Sequence, residues 1–445
     1  MNIITLQWSL VIGSSLLLFL FSPFVKTSNA FYKATSKLKS PTTFVLTGSL
    51  VISWIFSKSI TNAANLGLAY GIVGGLAYAA YYLSFVVAGV VIYYLRTKGG
   101  FTSIHHFIYS KYGQKAINLF SILIAFRLFN EVWSNTMVIG SYFGDVNSNS
   151  YYIAIVVFTI LTLAYSLKGG LSSSIFTDII QMGLFSVLLG IILWQLFSIT
   201  EFTTQTVLNS GDWSFNMGLN LLFAAVLQSF SYPFHDPVLT DRGFISKPKT
   251  TLKSFIAAGI VGFICIALFS VVGIYAKHMG LQGQAAVQVG KTLGVGLLVV
   301  INFIMITSAS STLDSTFSSF SKLIVIDLKK SKSVSLGRLV MILLAILGTI
   351  PIFLNAEVLT ATTISGTMVI GLTPIFMFWH IKAPKLSFFL SLTSGLLFGF
   401  LLLFNLFPTF LILTQGPYAD LLWVNVWGIL LCTILYWTPI WMHKK

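Results

Sequence analysis

Charge is scarce in this chain. Asp, Glu, Lys and Arg make up only 8% of 445 residues, and 11 acidic residues stand against 26 basic ones. With 56% hydrophobic residues and a mean hydropathy of +0.89, a chain of this length lacks the polar surface of a soluble domain, so its solvent is a bilayer. Cysteine is scarce too: Cys265 and Cys432 both lie in apolar runs, which argues against a disulfide framework and leaves the redox compartment unread. Hydrolase signatures are missing. There is no His-Glu-x-x-His, no Gly-x-Ser-x-Gly and no paired cysteine–histidine spacing, and the six histidines are scattered. The chain therefore reads as a non-enzyme. No long hydrophilic stretch is present either, so a soluble domain is not expected.

What remains is a series of apolar runs of helix-spanning length, at 6–25, 41–66, 70–95, 116–141, 151–167, 173–198, 217–239, 254–276, 287–326, 336–354, 358–380, 386–407 and 419–441. These predict about thirteen transmembrane helices in an all-α protein with one transmembrane domain over 1–445. The first run has no cationic flank and is long for a cleaved signal, so it reads as a leading helix. The net charge of +15 would suit nucleic acid, but its distribution points elsewhere. With the N-terminus outside, all of the 26 basic residues except Lys58, Arg127, Lys277 and Lys291 fall on the inner side. The positive-inside rule then expects a multi-pass protein of the plasma (inner) membrane with a cytoplasmic C-terminus and no nucleic-acid partner.

Two spans read badly as continuous helices. One is Ser53 to Asn62, polar and charged in mid-span; the other is Ser229 to Pro237, where Pro233 and Pro237 remove backbone donors. Leaving out the leading helix, these are the first and sixth of the remaining spans. Broken helices at matching places in two halves point to an inverted-repeat secondary transporter with a site at the midplane. The expected parts are a leading helix and inner loop (1–40), a first five-helix repeat (41–198), an inverted second repeat (217–380) and peripheral helices (386–445). Asp314 adds weight, because a carboxylate inside an apolar span should face a cavity, a counter-ion or a pathway. Around it Ser308, Ser311, Thr312, Ser315 and Ser319 recur at helical spacing and form a wall of oxygens, the ligand type a hard cation needs.

At this point the chain resembles the sodium:solute symporter family over about 30–405. Tyr165-Ser166-Leu167-Lys168-Gly169-Gly170-Leu171 with Thr177-Asp178-Ile179-Ile180-Gln181 looks like its fifth-helix signature. Ser311-Thr312-Leu313, followed by Ser315, Phe317, Ser319, Ser321 and Asp327, looks like that of the eighth. Asp241-Arg242 with Lys247 resembles the end of the sixth helix, and Ser365-Gly366-Thr367 through Pro374 resembles the tenth. The resemblance implies a leucine-transporter-like fold: a 5+5 inverted repeat with broken first and sixth core helices. It also implies sodium between the first and eighth helices, held by carbonyls of Ile52 and Ile55 and by Ser308, Ser311 and Thr312. A further sodium or proton site would map onto Asp178, Ser311, Asp314 and Ser315, unless Asp314 instead pairs with a basic residue such as Lys322.

The expected activity is sodium-coupled import of a small organic solute by alternating access. Proton coupling through Asp178 and Asp314, uncoupled transport, or a non-transporting sensor on the same scaffold are the alternatives. Candidate solute contacts are Trp54, Lys58 and Ser59 from the first helix, Tyr78 and Tyr81 from the second and Asn135 from the third. Tyr232 matches an inner-gate tyrosine of the family's sugar carriers, and the tenth helix offers Thr363, Ser365 and Thr367. Lys58 departs from the family's sugar-binding pattern. It would meet an anionic solute, or form a salt bridge with Glu131 or Asp236. Arg127 and Glu131, four residues apart, should neutralise each other.

Overall fold

The computed structural model describes residues 3–34, 40–354 and 365–442. Leaving aside several short helices, those that build the bundle begin with α1 (Ile3–Phe21), α2 (Thr43–Trp54), α3 (Ser57–Ala79), α4 (Leu83–Thr97), α5 (Ile104–Tyr112), α6 (Gln114–Ser141), α7 (Asn149–Gly169) and α8 (Leu171–Phe197). They continue with α9 (Leu219–Gln228), α10 (Pro237–Arg242), α11 (Pro248–His278), α12 (Val295–Lys322), α13 (Val334–Thr349), α14 (Leu372–Met377), α15 (Lys385–Leu403) and α16 (Ala419–Met442). Ten of the helical stretches are long and apolar enough to cross a membrane. The predicted first span is split between α2 and the start of α3, which turns at Gly71 (φ +60°) before running on into α4. The predicted sixth is split between α9 and α10. The predicted tenth, 358–380, lies partly outside the described residues.

Two expected boundaries need correction. The run 287–326 is two helices, because Gly294 (φ +101°) separates the short helix Ala285–Leu293 from α12. The interruption read across Ser53–Asn62 is only two residues long: Ile55 (φ −79°, ψ 71°) and Phe56 (φ −61°, ψ 150°) leave helical geometry, while Ser57 to Asn62 form the first turns of α3. Polar residues there signalled a buried site, not unwound backbone.

Polarity is distributed as lipid requires. Phe126 and Trp194 are 73% and 74% exposed on the outer surface of the bundle, while Lys58, Arg127, Glu131, Asp178, Asp236, Arg242 and Asp314 are all buried inside it. The tightest helix pair is α3 with α11, where small residues let the backbones touch. A Cβ on Gly273 would collide with the Ala64 carbonyl, and one on Gly67 with the Ser270 carbonyl. Gly273→Ala should therefore destabilise the protein by about 1–3 kcal/mol, as overpacking does, whereas Gly183→Ala, with nothing near its new methyl, should not. Thermal unfolding of the two purified variants beside the parent chain checks this.

Candidate functional site

The site forms where the two interruptions meet. Helix α2 stops at Trp54 although no glycine or proline lies nearby, so the break is imposed by tertiary partners. Tyr82 donates its hydroxyl to the Trp54 carbonyl (2.8 Å), and Trp54 Nε1 donates to Asp236 Oδ2 in the other interruption (2.8 Å). Among the described residues, no backbone N–H donates to the carbonyls of Ile52, Ser53 or Ile55. Buried carbonyls without partners are costly unless something else supplies the missing charge. In the second interruption, α9 ends at Gln228, a 3-10 turn covers Tyr232–His235, and Asp236 Oδ1 accepts from Val238 N (3.0 Å) to cap α10.

Four buried charges join the two breaks through α6. Lys58 Nζ donates to Glu131 Oε1 (2.6 Å) and Ser134 Oγ (3.2 Å), Arg127 pairs with Glu131, and Arg127 Nη2 donates to Asp236 Oδ2 (3.1 Å). The guanidinium of Arg127 lies over the Tyr232 ring (5.2 Å) and the Phe56 ring (5.5 Å). Lys58 thus takes up the salt bridge to Glu131 rather than standing free in a cavity. Asn135 donates to Glu131 Oε2 (2.9 Å) and accepts from Ser57 (3.0 Å), so it orients the network.

Most candidate solute contacts lie close to one another. Trp54, Tyr78, Tyr81 and Tyr232 form a continuous aromatic wall with ring centroids 5.6–6.2 Å apart, and all are buried. Ser59 accepts from the Tyr78 hydroxyl (3.3 Å). Thr367 accepts from Gln228 Nε2 (3.1 Å) and Asn425 Nδ2 (3.1 Å), and Tyr81 donates to Gln228 Oε1 (2.9 Å). Ser365 is half-buried, and Thr363 lies outside the described residues. Gln228 and Asn425 were missed by sequence reasoning. The position of Gln228 at the last turn before the break was the available signal; Asn425 in the peripheral α16 offered only its polarity in an apolar run.

On the face opposite the basic loops a cavity of ≈ 400 Å³ leads to this wall, lined by Asn62, Asn65, Tyr70, Tyr151, Gln284 and Tyr418 among others. Asn62 donates to the Tyr78 hydroxyl (3.3 Å), so the cavity floor is one residue from the aromatic cluster. On the basic face a second cavity, ≈ 340 Å³, is lined by Tyr32, His105, Asp241, Lys322 and Asp327. There Lys322 bridges Asp241 (2.6 Å) and Asp327 (3.1 Å), so the alternative in which it pairs with Asp314 is not formed. Burial outweighs the neighbouring Asp327 carboxylate and holds the His105 imidazole below its usual pKa.

The ion-site candidates converge on Asp178 of α8. Its Oδ1 accepts from Ser311 Oγ (2.6 Å) and its Oδ2 from Ser49 Oγ (2.5 Å), which fastens α12 and α2 to α8. Ser308 Oγ is buried without a partner, and Thr312 Oγ1 donates to the Ser308 carbonyl (3.0 Å). Asp314 accepts from Thr177 Oγ1 (2.8 Å) and Ser315 Oγ (3.3 Å), and no basic group lies within ion-pair distance of it among the described residues. Arg242, read from the sequence only as part of a motif, sits directly against Asp178 (2.9 Å).

Such an arrangement, two interrupted helices facing each other inside a helical bundle, defines a leucine-transporter-like membrane transporter fold with a 5+5 inverted repeat. Residues 31–212 match the sodium:solute symporter family model. Among solved structures, the chain is similar to a substrate-bound, outward-open Na+-coupled sialic acid symporter, with a TM-score of 0.72, 15% identity and 98% of each chain covered. It is also similar to Mhp1, a nucleobase-cation-symport-1 family transporter, closed with bromovinylhydantoin bound (TM-score 0.58, 11% identity, 94% of this chain and 96% of that one). The inward-facing form of Mhp1 matches with a TM-score of 0.56 at 10% identity and 95% coverage of both chains. At these identities the likeness is one of fold. No curated protein matches the sequence.

Removing one member of the four-charge network leaves its partner charged and buried, a loss of about 3–5 kcal/mol. Lys58→Ala should therefore lower stability by about that amount, while Lys58→Met with Glu131→Gln should recover part of it, since Arg127 and Asp236 still neutralise each other. Thermal unfolding of the single and double variants tests the assignment.

Proposed function

We propose that this protein is a sodium-coupled symporter that imports a small organic solute by alternating access, with its N-terminus outside and its C-terminus in the cytoplasm. The observation that carries the reading is the set of unpaired oxygens on α2 and α12. Both helices meet the basic face at the end nearer Asp178: α2 at its start, α12 at its finish. From Ser49 one turn toward the break is Ile52; from Ser311 one turn in the same direction is Ser308. The carbonyls of Ile52 and Ile55 and the hydroxyl of Ser308 are among the groups left without backbone or side-chain partners. With Ser311 and Thr312 beside them, they supply the oxygen shell a dehydrated sodium ion needs.

The same interruption serves the solute. Trp54 and Ser59 flank the unwound turn, and Tyr78, Tyr81, Tyr232 and Thr367 close around it, with Lys58 and Asn135 holding the charge network behind them. A cavity of ≈ 400 Å³ on the outer side suits a small organic molecule. Sodium draws α2 toward α12; the solute needs Trp54 and Ser59 in the positions this produces. Each ligand therefore favours the state that binds the other, which is the linkage coupled transport requires. One sodium ion moving inward gains roughly 2.3 kcal/mol per 100 mV. The outer cavity and the Lys322-bridged inner cavity share no lining residue, and an alternating-access cycle needs two such separate openings.

Sodium, but not potassium, should raise the unfolding temperature of the purified protein, and Ser308→Ala with Thr312→Ala should weaken the apparent sodium affinity about ten-fold or more, or roughly 1.4 kcal/mol. Proteoliposomes should accumulate solute only with an inward sodium gradient. Equal stabilisation by sodium and potassium, or accumulation that follows a proton gradient alone, would reject this reading.

A further inference from the structure

Tyr82 governs which carbonyls of the first interruption are left for an ion. In an unbroken helix the N–H groups of Phe56, Ser57, Lys58 and Ser59 would donate to the carbonyls of Ile52, Ser53, Trp54 and Ile55. Among the described residues none of those bonds forms, and the Trp54 carbonyl instead accepts from the Tyr82 hydroxyl (2.8 Å). Trp54 is therefore held at both ends, its backbone by Tyr82 and its indole by Asp236. Tyr82 is itself fixed in place. It closes the 3-10 turn Ala80–Tyr82 between α3 and α4, and its ring packs edge-on against Trp54, with centroids 5.8 Å apart and planes at 90°. Helix α11 passes so close at Gly262 that a Cβ there would run into the Tyr82 ring.

This bond bears on a balance between two forms of the turn. Broken, the turn leaves the carbonyls of Ile52 and Ile55 open to sodium. Recoiled into helix, it would return them to the N–H groups of Phe56 and Ser59. Neither glycine nor proline occurs between Ile52 and Ser59, so nothing local favours the broken form. A buried carbonyl without a partner is strongly disfavoured, and Tyr82 removes that penalty at Trp54 while the turn stays broken. An ion that binds only the broken form has its affinity reduced by the fraction of molecules that are recoiled.

We propose that Tyr82 is a positioning residue for sodium: by occupying the Trp54 carbonyl it holds the break in α2 and leaves Ile52 and Ile55 to the ion. The proposal rests on the sodium-coupled reading above and adds the residue that prepares its site.

Sodium titration of the purified protein, followed by thermal unfolding and by binding of radioactive sodium, tests it. Tyr82→Phe should need about ten-fold more sodium for half-saturation, the effect of losing one hydrogen bond to a buried carbonyl. Tyr112→Phe is the control, because it removes a buried hydroxyl that meets Tyr436 (3.2 Å) outside the break. It should lower the unfolding temperature and leave half-saturation at the parent concentration. A folded Tyr82→Phe variant that saturates with the parent chain, or a Tyr112→Phe variant shifted as far, would overturn the proposal. Should Tyr82→Phe fail to fold, Gly262→Ala decides, since its methyl displaces the ring while the hydroxyl is kept. That variant should shift half-saturation in the same direction, and saturation like the parent's would refute the assignment. A parent chain that binds no sodium would instead remove the sodium reading, and this inference with it.

Discussion

Asp236 accepts from the Trp54 indole and the Arg127 guanidinium on one carboxylate oxygen and caps α10 with the other. That single carboxylate ties the unwound turn of α2 to the unwound turn after α9, and through Arg127 it draws in Glu131 and Lys58. Charges buried in a lipid-surrounded bundle have no water to fall back on, so each position is dictated by the next. The break in α2 follows from this network rather than from a local breaker. Once the backbone leaves helical geometry at Ile55 and Phe56, the carbonyls of Ile52, Ser53 and Ile55 are left without backbone donors.

A second buried cluster, around Asp178, follows the same rule with a different balance of charge. The first cluster is balanced by its own side chains: two basic groups against two acidic ones. The second has Arg242 against Asp178 and leaves Asp314 without a basic partner. A neutral cluster is suited to holding helices in register. The second joins α2, α8, α10 and α12 through serine and threonine hydroxyls as well as charge. The aromatic wall of Trp54, Tyr81 and Tyr232 lies against the first cluster, with Trp54 donating to Asp236 and Arg127 over the Tyr232 ring.

Much of this was legible in the chain because lipid makes polarity conspicuous. Asp314, Lys58 and the serine-rich stretch after Ser308 stand out from an apolar background, and each lies inside the bundle as a mid-span polar residue should. Pro233 and Pro237 marked the second interruption by removing donors. The first was harder: its polar run, Ser57 to Asn62, proved to be helix, and the true break falls on Ile55 and Phe56, which carry no turn signal at all. Gly294 divides a run that hydrophobicity alone presented as one span, because apolar content does not register a left-handed backbone.

An all-helical membrane protein with polar residues buried inside the bundle follows from composition and periodicity, and the amino-acid sequence determined that by itself. Pairing was decided only by the tertiary structure. Lys58 could have met Asp236 and instead meets Glu131; Lys322 could have met Asp314 and instead bridges Asp241 and Asp327. Arg242, read from the sequence only as part of a helix-end motif, reaches across to Asp178 from 64 residues away. Spacing along one helix shows which residues share a face, but which charge lies opposite depends on how distant helices pack, and in a dehydrated interior that choice settles the chemistry.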